Sequence, residues 1–285
     1  MVLRLALGVL LGASAASAQP SLWRLAPVGE TTLSLTAARP SARYVDLGGA
    51  GSVWAAKAVV PVRPGLRLTV EVPFGFASPE LILVDSLSNE VGVASGVQAA
   101  LGNVDLGARV DARPGLTVGG GVRLPTTLRT SGRGSTFVGT ASDLVEPGRA
   151  ASIDAIGQTA SLYGVVTYDL PVRAGLSAHL AAVPTLTSFR LGRGDDPFLT
   201  RQLATYVSLA ALGRAAVGPA RVGAGVGGTI WTSGSRAGLE PDLSVGALAD
   251  VAVGRARPSL GFTIPLSGND FVRAVVVAGV SVSLD

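Results

Sequence analysis

The stretch Gly102–Leu124, GNVDLGARVDARPGLTVGGGVRL, constrains what the rest of the chain can fold into more than any other. In its first arm Asn103, Asp105, Gly107, Arg109 and Asp111 alternate with Val104, Leu106, Ala108 and Val110. Successive side chains of a strand point to opposite faces, so this period of two gives one polar and one aliphatic face. The second arm repeats the pattern, with Leu116, Val118, Gly120, Val122 and Leu124 on one face and Thr117, Gly119, Gly121 and Arg123 on the other. Between the arms Ala112-Arg113-Pro114-Gly115 is a turn, because Pro presets φ and Gly accepts positive φ. Arms of about ten residues, charged on one face and aliphatic on the other, predict a transmembrane β-barrel hairpin. A half-exposed strand of a secreted β-sandwich alternates in the same way, so the hairpin by itself leaves both folds open.

The start of the chain narrows the choice. Met1-Val2-Leu3-Arg4 is a basic head, Leu5–Ala13 an apolar run, and Ala16-Ser17-Ala18 a small-residue cleavage site. This reads as a secretory signal peptide over residues 1–18, followed by one exported barrel domain over residues 19–285. The apolar run is too short for a spanning helix, which needs roughly 20 residues. The chain has no cysteine, which excludes a disulfide scaffold, a lipidated cysteine anchor and thiol chemistry. Mean hydropathy is +0.47 and 48% of residues are hydrophobic. After the signal, no apolar run reaches the length of about 18 residues expected of a spanning helix. The hydrophobicity is dispersed in short alternating pieces, as in a barrel and unlike a helical membrane protein. The arginines are spread over turns and loops without interleaved aromatics, which argues against nucleic acid as a partner.

Twelve strands are predicted, near Thr31–Ala38, Val53–Val62, Leu66–Phe74, Gly102–Asp111, Leu116–Pro125, Thr159–Leu170, Leu176–Thr187, Thr200–Leu212, Arg221–Trp231, Pro241–Val253, Pro258–Leu266 and Phe271–Leu284. Short turns follow every even strand: Arg63-Pro64-Gly65, Arg113-Pro114-Gly115, Arg173-Ala174-Gly175, Gly218-Pro219-Ala220 and Gly254-Arg255-Ala256-Arg257. The longer connections, notably Gly75–Leu101, Leu128–Gln158 and Ser188–Leu199, follow odd strands. The expected fold is therefore all-β, an antiparallel twelve-stranded transmembrane barrel with short periplasmic turns and long extracellular loops. Within Gly75–Leu101 the segment Glu80–Asp85 is too apolar for a freely solvated loop. It either extends strands above the membrane or folds inward as a constriction.

The faces then follow. Leu68, Val70, Val104, Leu106, Val118, Val122, Leu162, Val166, Leu180, Val207, Leu209, Val226, Ile230, Val245, Phe262, Ile264, Val280 and Val282 are expected outward. The opposite face carries Lys57, Arg67, Glu71, Asp105, Arg109, Asp111, Arg123, Asp169, His179, Asp242, Asp250 and Arg273, the candidate lumen-lining and selectivity residues. An Arg on the lipid face at midplane costs about 2–4 kcal/mol, which explains their segregation. Two readings fit these charges: a selectivity lining, or a cross-strand salt-bridge ladder that fills and stiffens the lumen. Phe74, Phe76, Phe189, Phe198, Trp231 and Phe271 are expected in an interfacial belt at the external strand ends, with Tyr168 at the other end.

Little else suggests chemistry. His179 follows Ser177 by two residues on one face, a spacing of about 7 Å that is too long for a nucleophile and its base. Gly119-Gly120-Gly121 and Gly223–Gly228 sit inside strands, where they relieve curvature or admit a close approach, and do not open a helix as phosphate loops do. Asp195-Asp196 supplies only two adjacent carboxylates, short of a calcium site. No catalytic residue, metal or cofactor is expected.

Three short stretches resemble a family. Gly96-Val97 leading into Gly102–Arg109, the segment Val122-Arg123-Leu124-Pro125-Thr126 with the Gly/Ser/Thr-rich loop after it, and Ile264–Asp270 before a Val/Gly-rich last strand are similar to proteobacterial barrels of the phenol-degradation meta-pathway. Those barrels are relatives of the long-chain fatty-acid transporters. Asn103, Val110 and Thr127 depart from the family pattern, which has Asp, an aromatic and Gly there. The resemblance implies an outer-membrane transporter of small apolar compounds and brings no catalytic residue. The expected function is a passive channel or transporter, gated by Gly75–Leu101 or Leu128–Gln158. Its partners are outer-membrane lipid, a small-molecule solute and the barrel-assembly machinery. The alternatives are a structural or adhesive barrel with a plugged lumen, and an outer-membrane lipase-type enzyme.

Overall fold

The computed structural model describes residues 31–42, 49–84, 90–95, 98–126, 128–129, 160–190, 201–233, 242–266 and 272–284. The segment expected to be a signal peptide, Asp195-Asp196, Phe198, Phe271 and most of Leu128–Gln158 lie outside these residues. The described strands are β1 (Thr32–Ala42), β2 (Gly49–Arg63), β3 (Leu66–Val84), β4 (Glu90–Ser95), β5 (Gln98–Leu101), β6 (Val104–Arg113), β7 (Leu116–Leu124), β8 (Leu128–Arg129), β9 (Ala160–Arg173), β10 (Leu176–Arg190), β11 (Arg201–Val217), β12 (Ala220–Trp231), β13 (Asp242–Val251), β14 (Ala256–Pro265) and β15 (Val272–Ser283).

Twelve of these close an antiparallel barrel. Each pairs with its neighbour in sequence, β1 joins β15, and the β2–β3 and β3–β6 ladders complete the ring. Closure leaves no unpaired strand edge within the ring, the condition a β protein must meet to stand in hydrocarbon. The expected strands are all present. The remaining three lie at the end opposite the tight turns. β3 runs on past Phe74, and its residues Glu80–Val84 pair with β4, while β5 pairs with β3 and β8. Of the two readings of this segment, strand extension is the one that forms over Glu80–Val84, and Asp85 lies outside the described residues.

Alternation places the aliphatics outside. Leu68, Val70, Leu106, Val122, Leu162, Val166, Phe262, Ile264 and Val280 are exposed on the outer surface, as expected. Trp54 and Phe74, opposite each other in register, stack there with ring centroids 6.3 Å apart. One belt residue is misplaced by the sequence reading. Trp231 points inward, 6% exposed, and packs against Tyr206 at 4.8 Å.

The turns do more than reverse the chain. In Pro64-Gly65 and Pro114-Gly115 the Gly takes φ of +76° and +78°, the second-position requirement of a type II turn. A Cβ on Gly115 would fall 2.5 Å from the Asp169 carbonyl oxygen. That proximity is itself used: the Gly65 carbonyl accepts the Asp111 N–H, and the Gly115 carbonyl accepts the Asp169 N–H, both at 2.8 Å. Each turn is thus stapled to the next hairpin at an inward-facing aspartate.

Candidate functional site

The inward face divides into two levels. The first is a waist away from the tight turns, close to the far ends of β6, β7, β9 and β10. A row of directly opposed residues crosses it: Lys57 faces Glu71, Glu71 faces Asp105, Asp105 faces Arg123, Arg123 faces Ser161, and Ser161 faces Thr187. Two ion pairs form in it. Lys57 Nζ lies 3.7 Å from Glu71 Oε2, and Arg123 Nε donates to Asp105 Oδ2 at 3.0 Å. Tyr163 Oη donates to the other Asp105 oxygen at 2.5 Å, and Arg123 lies over the Tyr163 ring at 4.8 Å. Arg123 Nη1 also reaches Tyr206 Oη at 3.5 Å. Hydroxyl pairs Ser161–Thr187 and Ser208–Thr229 continue the layer at 2.9 and 3.0 Å.

Glycine makes this possible. Gly107 and Gly121 face each other across β6 and β7, and Gly121 faces Tyr163 across β7 and β9. A Cβ on Gly121 would stand 2.4 Å from Tyr163 Oη, and one on Gly107 2.9 Å from it. The Tyr163 ring therefore lies over Gly107 and Gly121 to reach Asp105, while Cβ atoms on Gly119 and Gly120 would meet the backbone oxygens of Ala108 at 2.3 Å and Tyr163 at 2.7 Å. Asp105 and Arg123 are left only 6% and 5% exposed, with Tyr206 and Trp231 equally closed in. Unpaired charges so deep would be costly, and here each is paired and hydrogen-bonded.

The second level is a vestibule near the tight turns. Three clusters lie there among the described residues, two with a pair of arginines around one aspartate and one with an arginine and an imidazole around one aspartate. In the first, Arg67 and Arg109 are directly opposite in register on β3 and β6, and Asp111 takes the Arg67 guanidinium together with Thr117 Oγ1. In the second, Asp169 Oδ1 lies 2.8 Å from His179 Nδ1 and 3.6 Å from Arg214 Nη1. In the third, Asp250 Oδ1 is shared by Arg221 Nε at 3.1 Å and Arg257 Nη1 at 2.5 Å. Several of these side chains see solvent: Asp169 is 42% exposed and Asp111 30%.

Of the expected lining residues, Lys57, Glu71, Asp105 and Arg123 meet at the waist, and Arg67, Arg109, Asp111, Asp169, His179 and Asp250 meet in the vestibule. The side chains of Asp242 and Arg273 lie outside those described. Arg214, Arg221 and Arg257 belong to the vestibule but were absent from the expected set. Arg214 and Arg257 lie beyond the predicted strand ends, where β11 and β14 in fact continue. Arg221 sits directly opposite Asp250, a pairing visible once the β12–β13 register is known. Tyr163 and Tyr206 were missed because a lone tyrosine carries no face signal of its own. His179 is engaged by Asp169 directly across β9 and β10, and among the described residues no hydroxyl lies within hydrogen-bond distance of its ring.

No family model matches the chain, and no curated protein matches it. Solved structures do. An outer membrane channel from Pseudomonas putida F1 is similar with a TM-score of 0.55 at 12% identity, over 93% of this chain and 99% of that one. The translocator domain of the autotransporter NalP from Neisseria meningitidis gives 0.53 at 10% identity, over 89% of this chain and 88% of that one. At such identities the likeness is one of fold: this chain has the fold of outer-membrane β-barrels.

Proposed function

We propose that the chain is a passive channel of the outer membrane for small solutes. The observation that carries this reading is the sidedness of a closed ring. Twelve strands present exposed aliphatics outward and ionised, paired side chains inward, an arrangement suited to hydrocarbon outside and water or solute within. The fold shared with the Pseudomonas channel supports it. A twelve-stranded lumen filled by side chains is narrow, so the solutes are small. The finer expectation of apolar solutes rests on the phenol-degradation resemblance alone.

The packed waist favours a second reading, a plugged structural barrel, since Arg123, Tyr163, Tyr206 and Trp231 are all nearly closed to solvent. The lipase-type alternative has only His179 to offer, and that ring is held by Asp169. Single-channel recording separates the readings. Protein purified from outer membranes and inserted into planar bilayers gives discrete current steps if the lumen conducts. A heat-modifiable, inserted protein without steps is the plugged barrel, and failure to insert removes both.

A further inference from the structure

Resting on the channel reading, we infer that the vestibule is an anion site that selects small carboxylate-bearing solutes. The charges at the two levels differ in kind. At the waist Lys57 is paired with Glu71 and Arg123 with Asp105, whereas near the turns Asp111 engages Arg67 with Arg109 opposite it, and Asp250 is shared by two arginines, Arg221 and Arg257. The surplus is held close. Arg67 and Arg109 are directly opposed, which for like charges on neighbouring strands is destabilising unless something lies between them. Asp111 engages Arg67, and among the described residues no carboxylate pairs with Arg109.

Donors are left over as well. Arg67 Nε, Arg214 Nε and Arg214 Nη2 are buried without a hydrogen-bond partner. A buried unsatisfied donor is costly, more so when charged, and a bound oxyanion supplies the missing acceptor. Guanidinium forks suit planar carboxylates, which they can engage through two parallel hydrogen bonds. A carboxylate in the vestibule would thus relieve the Arg67–Arg109 repulsion and satisfy donors that the chain leaves open.

The test combines reversal potential in a KCl gradient with equilibrium dialysis of radiolabelled benzoate against the detergent-solubilised protein. Wild type and Arg67→Gln/Arg109→Gln are compared, with Arg255→Gln at an exposed turn as control. The expected results are a current carried mainly by chloride, a reversal potential that moves toward zero in the double variant, and benzoate retention weakened about tenfold or more, the scale of a lost charge-assisted hydrogen bond. The control matches wild type. A cation-selective pore, or benzoate retention unchanged in the double variant, overturns the inference. If the double variant fails to insert, Arg109→Gln alone carries the test, since it breaks no ion pair among the described residues. Absence of conductance overturns the channel reading, while dialysis still decides the anion site.

Discussion

Arg123 at the waist and Arg67 in the vestibule are both inward-facing arginines on the same side of the barrel, each bonded to an aspartate, and they are used differently. Asp105 takes the Arg123 Nε, the Tyr163 ring lies beneath it, Tyr206 Oη is at its tip, and none of its buried nitrogens is left without a partner. Arg67 shares its surroundings with a second arginine, and its Nε is left over. A guanidinium carries five N–H donors, so whether it acts as a pin or a receptor depends on how many its neighbours consume. At the waist the neighbours consume them, which locks the lumen. In the vestibule the chain stops short, which leaves capacity for a solute.

The sharpest way to break this contrast is to remove an acid from the waist. Asp105→Ala takes the carboxylate from Arg123 and the acceptor from Tyr163 in a closed layer, leaving a buried charge unpaired. The expected cost is about 3–5 kcal/mol, read from denaturant unfolding in detergent. A loss below about 1 kcal/mol, the level of an exposed pair, would mean that the waist is as solvated as the vestibule and the two levels are not distinct. Next in size is Gly107→Ala. Its new Cβ would stand 2.7 Å from Thr69 Oγ1 and 2.9 Å from Tyr163 Oη, an overpacking cost of about 1–3 kcal/mol. Because both atoms are side-chain ends, the cost is expected to shrink in a Tyr163→Phe background. An undiminished cost would show that Thr69, the nearer atom, and not the tyrosine sets the fit.

Salt separates the levels without mutation. Exposed charges are screened from one another beyond about 10 Å at 0.1 M salt and beyond about 3 Å at 1 M, and buried pairs are screened much less. The anion preference of the vestibule is therefore expected to fade as KCl rises toward molar concentration, while the denaturation midpoint stays nearly constant. Reversal potentials at fixed gradient ratio and rising absolute salt provide the measurement, and a preference that persists in molar salt would point to the closed waist as the filter.

How much of this was legible in the sequence follows from what period-two alternation carries. It marks faces and turns without reference to partners, so the alternation around Asp105 and Arg109 and the Pro-Gly turns led to the ring, its sidedness and its strand count. It carries no register. The ion pairs at the waist and the clusters near the turns depend on which strand faces which residue, as with Arg221 opposite Asp250. Strand ends were cut short where apolar residues ran out, yet ladders continue into the turns because an inward arginine there is solvated and paired. Arg214 and Arg257 were lost for that reason. Trp231 was placed in the belt because a tryptophan at a strand end suits a membrane interface, although period two from the outward-facing Val226 and Ile230 already turns it inward, where it packs on Tyr206.

The smallest effect expected on stability is also the most discriminating. Asp169 is 42% exposed and bridges His179 and Arg214 at the vestibule wall. Exposed pairs contribute about 0–1 kcal/mol, so Asp169→Asn is expected to leave the unfolding midpoint almost unchanged. The asparagine keeps a carbonyl to accept from His179 or Arg214, while the wall loses one negative charge opposite two basic groups. Anion preference in the KCl gradient should therefore rise where stability does not fall. Equal selectivity with a loss of several kcal/mol would make Asp169 a structural pin like Asp105, and the vestibule a second waist.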